Sequence, residues 1–399
     1  MTAWKTARIS SFCTTGTGGT PSRSHLARYY DGGTIPWVKS GELRETTIQD
    51  TEEHLTEAAL EETNVKVVPP GTLLLAMYGA TVGRLGILGV PAATNQAVCH
   101  IIPDPNVAEV RYLFHALSSQ VSNLIARGVG GAQPNINQGI VRDFVLPLPP
   151  LPEQRRIVVV LDQAEELRAK RRATLGQLDT LTQAIFNDLF GDASDNPKHW
   201  PVRPVSDYVA EFQGGKSIEA ESGENAVTRN RVLKVSAVTG MSFLAHESKP
   251  VPDTYEPPPE HFAKIGDLLF SRANTTELVG AVAYVNTTPP NVLLPDKLWR
   301  FVWRQPVMVE PLFVWALFQT PALRREIGRR ATGTSGSMKN ISQEKVFGIS
   351  TILPPLSLQR EFVRCLAAAE TLKTAHRASL AEMNALFASL QYRAFRGEL

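Results

Sequence analysis

The sequence predicts an α/β protein built from two tandem, related domains, each followed by a long helix. Three observations predict it. The chain matches itself at an offset of 205 residues, each half opens with short apolar runs broken by Gly and Pro, and each half closes on a long stretch nearly free of such breaks.

The repeat is clearest where Gly131-Ala-Gln-Pro-Asn135-Ile136-Asn-Gln138 is answered by Gly336-Ser-Met-Lys-Asn340-Ile341-Ser-Gln343. The offset of 205 also carries Pro149-Pro150-Leu151 onto Pro354-Pro355-Leu356, Gln154-Arg155 onto Gln359-Arg360, and Phe190 onto Phe395. Upstream the match loosens, as expected where loop lengths drift. There Gly18-Gly19 pairs with Gly214-Gly215 at an offset of 196, Ser40 with Ser236, and Gly83 with Gly280. A period near 200 residues is far above the roughly 20–50 of solenoids, so the repeats are whole domains. Two related domains suggest two related sites.

The domains themselves are mixed. Strand-like runs at residues 65–68, 72–76, 281–285 and 299–303 alternate with Gly and Pro, and residues 112–117 and 312–317 read as short buried helices. Downstream, residues 152–190 place Ala164, Leu167, Leu175, Leu178, Leu181, Ile185 and Leu189 at spacings of three and four. The second copy places Leu366, Ala369, Leu372, Leu380, Met383, Leu386, Leu390 and Ala394 in the same way. Pro152 and Gly191 bracket the first helix, and Ser357, as N-cap, and Gly397 bracket the second.

Two like helices with narrow apolar seams bury them most economically against each other, as an antiparallel coiled coil relating the halves by a pseudo-twofold. Arg171 and His376, at matching positions, point to solvent or interrupt that seam. The expected boundaries are 1–150 and 193–355 for the domains, and 151–192 and 356–399 for the helices. Such a helix of roughly 38 residues is about 57 Å long, more than the roughly 34 Å of one DNA turn.

Bulk properties exclude several classes. No run of about 18 apolar residues is present, and Trp4, Lys5 and Arg8 interrupt the start where a signal peptide needs apolar continuity, so a cytoplasmic protein is expected. Cys13, Cys99 and Cys365 are far apart, which fits buried thiols and neither a disulfide framework nor a zinc site. The net charge of +2 permits nucleic-acid binding without arguing for it, because phosphate affinity comes from local clusters.

Catalytic signatures fail on inspection. Residues 210–217 approach a phosphate-binding loop but begin with Ala210 in place of glycine, and residues 16–21 approach a dinucleotide loop but put Pro21 where its third glycine belongs. Asp195-Asn-Pro-Lys198 lacks the second proline and the aromatic of the amino-methyltransferase motif. No His or carboxylate cluster has metal-ligand spacing. A binding protein is favoured.

The loops rich in Gly, Lys, Arg, Asn, Gln and Ser are the candidate DNA contacts, since short donors reach phosphates while Arg, Asn and Gln read base edges. The first half offers Thr20, Ser22, Arg23, Lys39, Ser40, Tyr78, Thr81, Arg84, Asn95, Gln96, Gln133 and Asn135. The second offers Lys216, Ser217, Lys234, Ser236, Arg272, Asn274, Lys297, Lys339 and Asn340. The halves diverge where Tyr78-Gly-Ala-Thr81 faces Arg272-Ala-Asn-Thr275 and Asn95-Gln96 faces Asp296-Lys297, which implies two different half-sites.

Gly18-Gly-Thr-Pro-Ser22, Ile35-Pro-Trp-Val-Lys-Ser-Gly41 and Leu148-Pro-Pro-Leu-Pro-Glu-Gln-Arg155, in this order, resemble the hallmark segments of the specificity subunits of Type I restriction–modification systems. The resemblance covers essentially the whole chain. The second half departs from it with Leu356-Ser-Leu-Gln359 and Gly214-Gly-Lys-Ser217. It implies two target-recognition domains that read an asymmetric, bipartite DNA site, in a subunit that is not itself an enzyme. It further implies two methylation subunits docked on the helices, for which Glu153, Gln154, Arg155, Gln359 and Arg360 are the candidate contacts, and two restriction subunits. S-adenosylmethionine, ATP and magnesium are expected on those partners, with no cofactor or metal on this chain. The rival expectations are a free-standing DNA-binding regulator, a coiled-coil scaffold, and an enzyme centred on Lys216-Ser217.

Overall fold

The computed structural model describes residues 4–44, 46–128, 135–218, 228–288, 290–335 and 338–399. The expected α/β class with two long helices is borne out. The chain forms two compact units, one of Met1–Ala173 with Ala378–Leu399, the other of Thr174–Arg377. Each long helix therefore gives its first part to one unit and its last part to the other. No helix among the described residues is long and apolar enough to cross a membrane.

In the first unit a five-stranded sheet runs in the order Cys13–Thr17, Val98–Pro103, Leu73–Ala76, Leu85–Leu88, Thr47–Ile48. A four-stranded sheet, His54–Leu55, Ile35–Val38, Ala92–Thr94, Val67–Val68, lies beside it. The second unit repeats the scheme with Val209–Gly214, Leu298–Trp303, Leu268–Ser271 and Val282–Tyr284, and a smaller sheet of Ser248–Pro250, Arg231–Leu233 and Val292–Leu293. Leu73, Leu74, Leu75 and Ala76 are all fully buried, as a strand covered on both faces requires. The expected short helices are Val110–Ile125 and Pro311–Gln319.

Strand register corrects the upstream alignment of the halves. Thr17 faces Cys99 and Gly214 faces Trp299, which sets Gly18 against Gly215, an offset of 197. A Cβ on Gly18 would lie 1.8 Å from the Thr94 carbonyl oxygen, and one on Gly215 would lie 1.8 Å from that of Leu294. Glycine is required at both places by the same close approach of backbones. One pair along, Gly16 makes room for the His100 ring, whereas Gln213 accepts a hydrogen bond from Arg300.

The long helices are Leu151–Phe190 and Leu356–Ala394. Pro152 lies in the first turn of one. Ser357 is inside the first turn of the other and is not its N-cap, because the helix begins one residue earlier. Gly191 and Gly397 adopt φ of 78° and 77°, the left-handed conformation that suits a helix end.

Helix segments pair antiparallel inside each unit. In the first, Arg156 reaches the Leu399 carbonyl and Arg168 donates to Asn384 at 2.8 Å. In the second, Lys373 pairs with Asp179 at 3.1 Å, and Phe362 packs edge-on against Phe186 and Phe190. Trp4 donates to the Ala394 carbonyl and Trp200 to that of Phe190, so each helix end is clasped by a tryptophan.

The seam differs in detail from the expected one. Leu167, Leu372 and Leu386 are 56 %, 51 % and 58 % exposed. Arg168 takes the inward place instead, its guanidinium 4.2 Å above the Phe387 ring, and Phe387 displaces its neighbour Leu386 outward. Arg171 and His376 are both partly buried. Of the thiols only Cys99 is fully buried; Cys13 and Cys365 are partly accessible.

Gln154 and Gln359 are fully buried, which removes them from the candidate partner contacts. Gln154 accepts from the Glu109 N–H at 2.9 Å and donates to the carbonyls of Val107 and Pro149. Gln359 repeats all three bonds with Glu310, Met308 and Pro354. The amides are spent inside the domains.

The equivalence of Glu109 with Glu310 aligns Arg111 and His115 with Leu312 and Ala316, and the helix offset of 205 aligns Asp162 with Ala367. Only the first unit has the polar trio, in which Arg111 and His115 both donate to Asp162, at 2.6 and 2.7 Å. Burial pushes His115 below the usual imidazole range. Burial also raises Asp162, but the bonds from Arg111 and His115 outweigh it and hold the carboxyl below its ordinary value. An ionised Asp162 thus accepts from a neutral His115.

Gln154→Met, close to isosteric, leaves one N–H and two carbonyls unmet and is expected to cost about 3 kcal/mol, read as a lower urea midpoint. A loss under about 1 kcal/mol would mean that water replaces the amide. The polar trio sets an acid limb. Both shifted groups bind fewer protons folded than unfolded, so their stabilisation is complete above about pH 6.5 and is lost as pH falls through the folded values. Replacing the trio by its second-unit counterparts, Arg111→Leu, His115→Ala and Asp162→Ala, should flatten the fall of the urea midpoint between about pH 6.5 and pH 4. An unchanged slope would place the acid sensitivity elsewhere.

Candidate nucleic-acid interface

The polar loops gather at strand ends, where backbone hydrogen bonds bring separate segments together. In the first unit the Met77 N–H donates to the Ala97 carbonyl and the Met77 carbonyl accepts from the Ile136 N–H at 3.0 Å. This brings Tyr78, Gln96 and Asn135 close, all three exposed. Thr20 joins them by donating to the Gln96 side chain. Thr81 and Arg84 lie on the adjoining turn, with Arg84 exposed. Gln133 lies outside the described residues. The Asn95 Oδ1 and Thr94 Oγ1 atoms are buried without a hydrogen-bond partner.

Arg23 and Lys39 form a second group. The Glu53 carboxylate takes Arg23 at 2.7 Å and Lys39 at 2.9 Å, and Lys39 also reaches Glu52. Hydrogen bonds from Arg23 and then Lys39 hold the Glu53 carboxyl down at about 2. Arg23 also stacks over Tyr30, 4.4 Å from its centroid. Residue type alone missed this masking, since Glu53 is far from Arg23 in sequence. Ser22 is exposed, and Ser40 opens a short turn, half-buried.

In the second unit the Arg272 N–H donates to the Lys297 carbonyl and the Arg272 carbonyl accepts from the Ile341 N–H, each at 3.0 Å. The short strand Ala273–Asn274 pairs with Met338–Asn340, setting Asn274 opposite Lys339 and Ala273 opposite Asn340. Arg272, Asn274, Lys297, Lys339 and Asn340 therefore share one locality. Lys216 and Ser217 are exposed, with Lys216 5.5 Å from the Tyr255 ring centroid. Lys234 and Ser236 follow a strand of the smaller sheet, where Ser236 donates to Glu247.

The matched backbone bonds shift the expected equivalences by one residue. Arg272 occupies the place of Met77, not of Tyr78, and Lys297 that of Ala97, not of Gln96. The turn to the equivalent glycines, Gly83 and Gly280, is two residues longer in the second unit, so an ungapped comparison slips. Trp299 and Gln343, which were not among the expected DNA contacts, line the cleft beside Arg272. Among the candidate partner contacts Arg155 and Arg360 are exposed, Glu153 pairs with Arg156, and Arg360 pairs with Glu310.

Residues 1–177 match the family described as the Type I restriction modification DNA specificity domain. The chain is 24 % identical over 419 aligned positions to the specificity subunit of the EcoKI Type I restriction enzyme of Escherichia coli K12, covering 99 % of this chain and 89 % of that one. These likenesses support an HsdS-type specificity subunit. It is also 28 % identical to the EcoR124I/EcoR124II specificity subunit of Escherichia coli, a match that spans 38 % of each chain. A solved chain from a study of complex assembly and conformational transition in the type I R-M system superposes with a TM-score of 0.64 at 18 % identity, covering 100 % of this chain and 98 % of that one, which shows the shared fold. The likeness thus reaches both units of the chain.

Glu53→Gln should release Arg23 and Lys39 for phosphate, raising DNA affinity at low salt and steepening the log K against log salt slope by about 1–2. Filter-binding titrations over a salt series measure this. An unaltered slope would assign the pair to the domain's own stability.

Proposed function

We propose that this chain reads an asymmetric, bipartite sequence in double-stranded DNA, one half-site with each unit, and positions partner subunits on it. The observation that carries the proposal is the pairing of like backbone with unlike chemistry. Equivalent positions hold Met77 and Arg272, Cys99 and Trp299, Ala97 and Lys297, on matching strands and hydrogen bonds. A shared frame with different polar groups suits two readers of different bases.

The partners in this proposal are two methylation subunits, which carry S-adenosylmethionine and modify adenine, and two restriction subunits, which use ATP and magnesium. The chain itself performs no chemistry and holds no cofactor. Exposed Arg155 and Arg360, at equivalent places on the first turns of the helices, are the candidate docking contacts. The target adenine swings out of the duplex into the partner's pocket, since its amino group is shielded within the stack. This chain's task is to hold the register while that happens.

The test is a genome-wide map of methylated adenine with and without the gene, in cells that express an active partner methyltransferase. Loss of a single two-part, asymmetric motif on deletion is the expected result. An unchanged map would favour a DNA-binding regulator that acts without a methyltransferase.

A further inference from the structure

The two units differ sharply at one position that is buried in the first and borders a cleft in the second. Met77 is 1 % exposed and packs into the first unit's core. Its counterpart Arg272 makes the same backbone bonds but places a guanidinium there, 5.5 Å from the ring centroid of Trp299, which itself stands where the first unit has Cys99. Arg272 Nε, Asn274 Nδ2 and Thr275 Oγ1 are buried and make no hydrogen bond. Asn274 is oriented by its Oδ1, which accepts from the Thr275 N–H. A cleft of about 390 Å³ lies alongside, lined by Arg272, Trp299, Thr332, Asn340, Ser342 and Gln343. Gln343 is tethered by its donation to the Phe212 carbonyl at 2.7 Å.

Of these groups Arg272 lines the cleft, and an unmet polar group there costs stability unless an outside group satisfies it. We infer that Arg272 reads a guanine in the second unit's half-site, its guanidinium fork donating to O6 and N7, and that the first unit has no counterpart to this contact. The inference rests on the proposed reading of duplex DNA. A guanine edge offers two adjacent acceptors that match the planar fork. The aromatic support holds the fork in one plane, which a single phosphate contact would not need. Exposed Lys216 and Lys297 are better placed for phosphate, as mobile point charges.

The experiment uses the chain assembled with its methylation subunits, acting on a pool of randomised duplexes whose methylated members are sequenced. Arg272→Met installs the first unit's residue, and Arg272→Lys keeps the charge while removing the fork. Both variants should keep one half-site intact and lose the preference for guanine at one position of the other, by about tenfold or more. The intact half-site reports that the variant is folded. The inference is overturned if Arg272→Lys keeps the guanine while Arg272→Met weakens methylation of all sequences alike, which is a phosphate contact. An unchanged motif in both variants, the loss of a base other than guanine, or abolished methylation in a complex that still assembles would overturn it too. If the unmodified chain directs methylation to no two-part motif, the reading of duplex DNA fails first, and is recognised by that result alone.

Discussion

A buried glutamine amide at the first turn of each long helix ties helix to domain, and the architecture of each unit depends on that tie. One side chain meets an N–H and two carbonyls from a loop some 45 residues upstream and from the Pro-rich approach to the helix. No apolar side chain could meet those groups, and leaving them unmet in the interior costs more than the bonds themselves gain. The same three bonds at Gln359 show that duplication kept the joint while surrounding loops changed length.

With the joint held, the rest of each domain could diverge. The strands opposite the joint share register between units, down to the glycine that lets two backbones touch at Gly18 and Gly215. Side chains at the strand ends are exchanged in coordinated sets, such as Gly16 and His100 against Gln213 and Arg300. A rigid common frame with replaceable polar ends lets the loops change while the scaffold is kept. The polar trio of Arg111, His115 and Asp162 shows that the helix-facing side has diverged as well, because the second unit fills those places with apolar groups.

The repeat, both helices and the α/β class were legible because the 205-residue offset runs ungapped through the helices, where periodicity repeats over many turns. Gln154 and Gln359 looked exposed because a polar residue in a first helical turn usually is; their partners lie far away in sequence, where local pattern carries no signal. Leu167 looked like seam because spacing cannot tell it from Arg168, whose long stem and flat head pack on Phe387. The one-residue slips at Arg272 and Lys297 arose where a turn had gained two residues, and only backbone pairing resolved them. The polar loops were found as a group, but the acidic groups that neutralise Arg23 and Lys39 were not, because ion pairs form across folded loops.

The first unit draws its last core pieces from residues 378–399. Ala394 is fully buried in that core, and Phe387, Leu390 and Phe395 pack against it. The domain nearest the start of the chain therefore stays open along one side while the ribosome makes the entire second domain. Its exposed apolar wall must survive that interval in the cell, so the time needed for synthesis, and any chaperone that covers the wall meanwhile, becomes part of how this subunit reaches its working form.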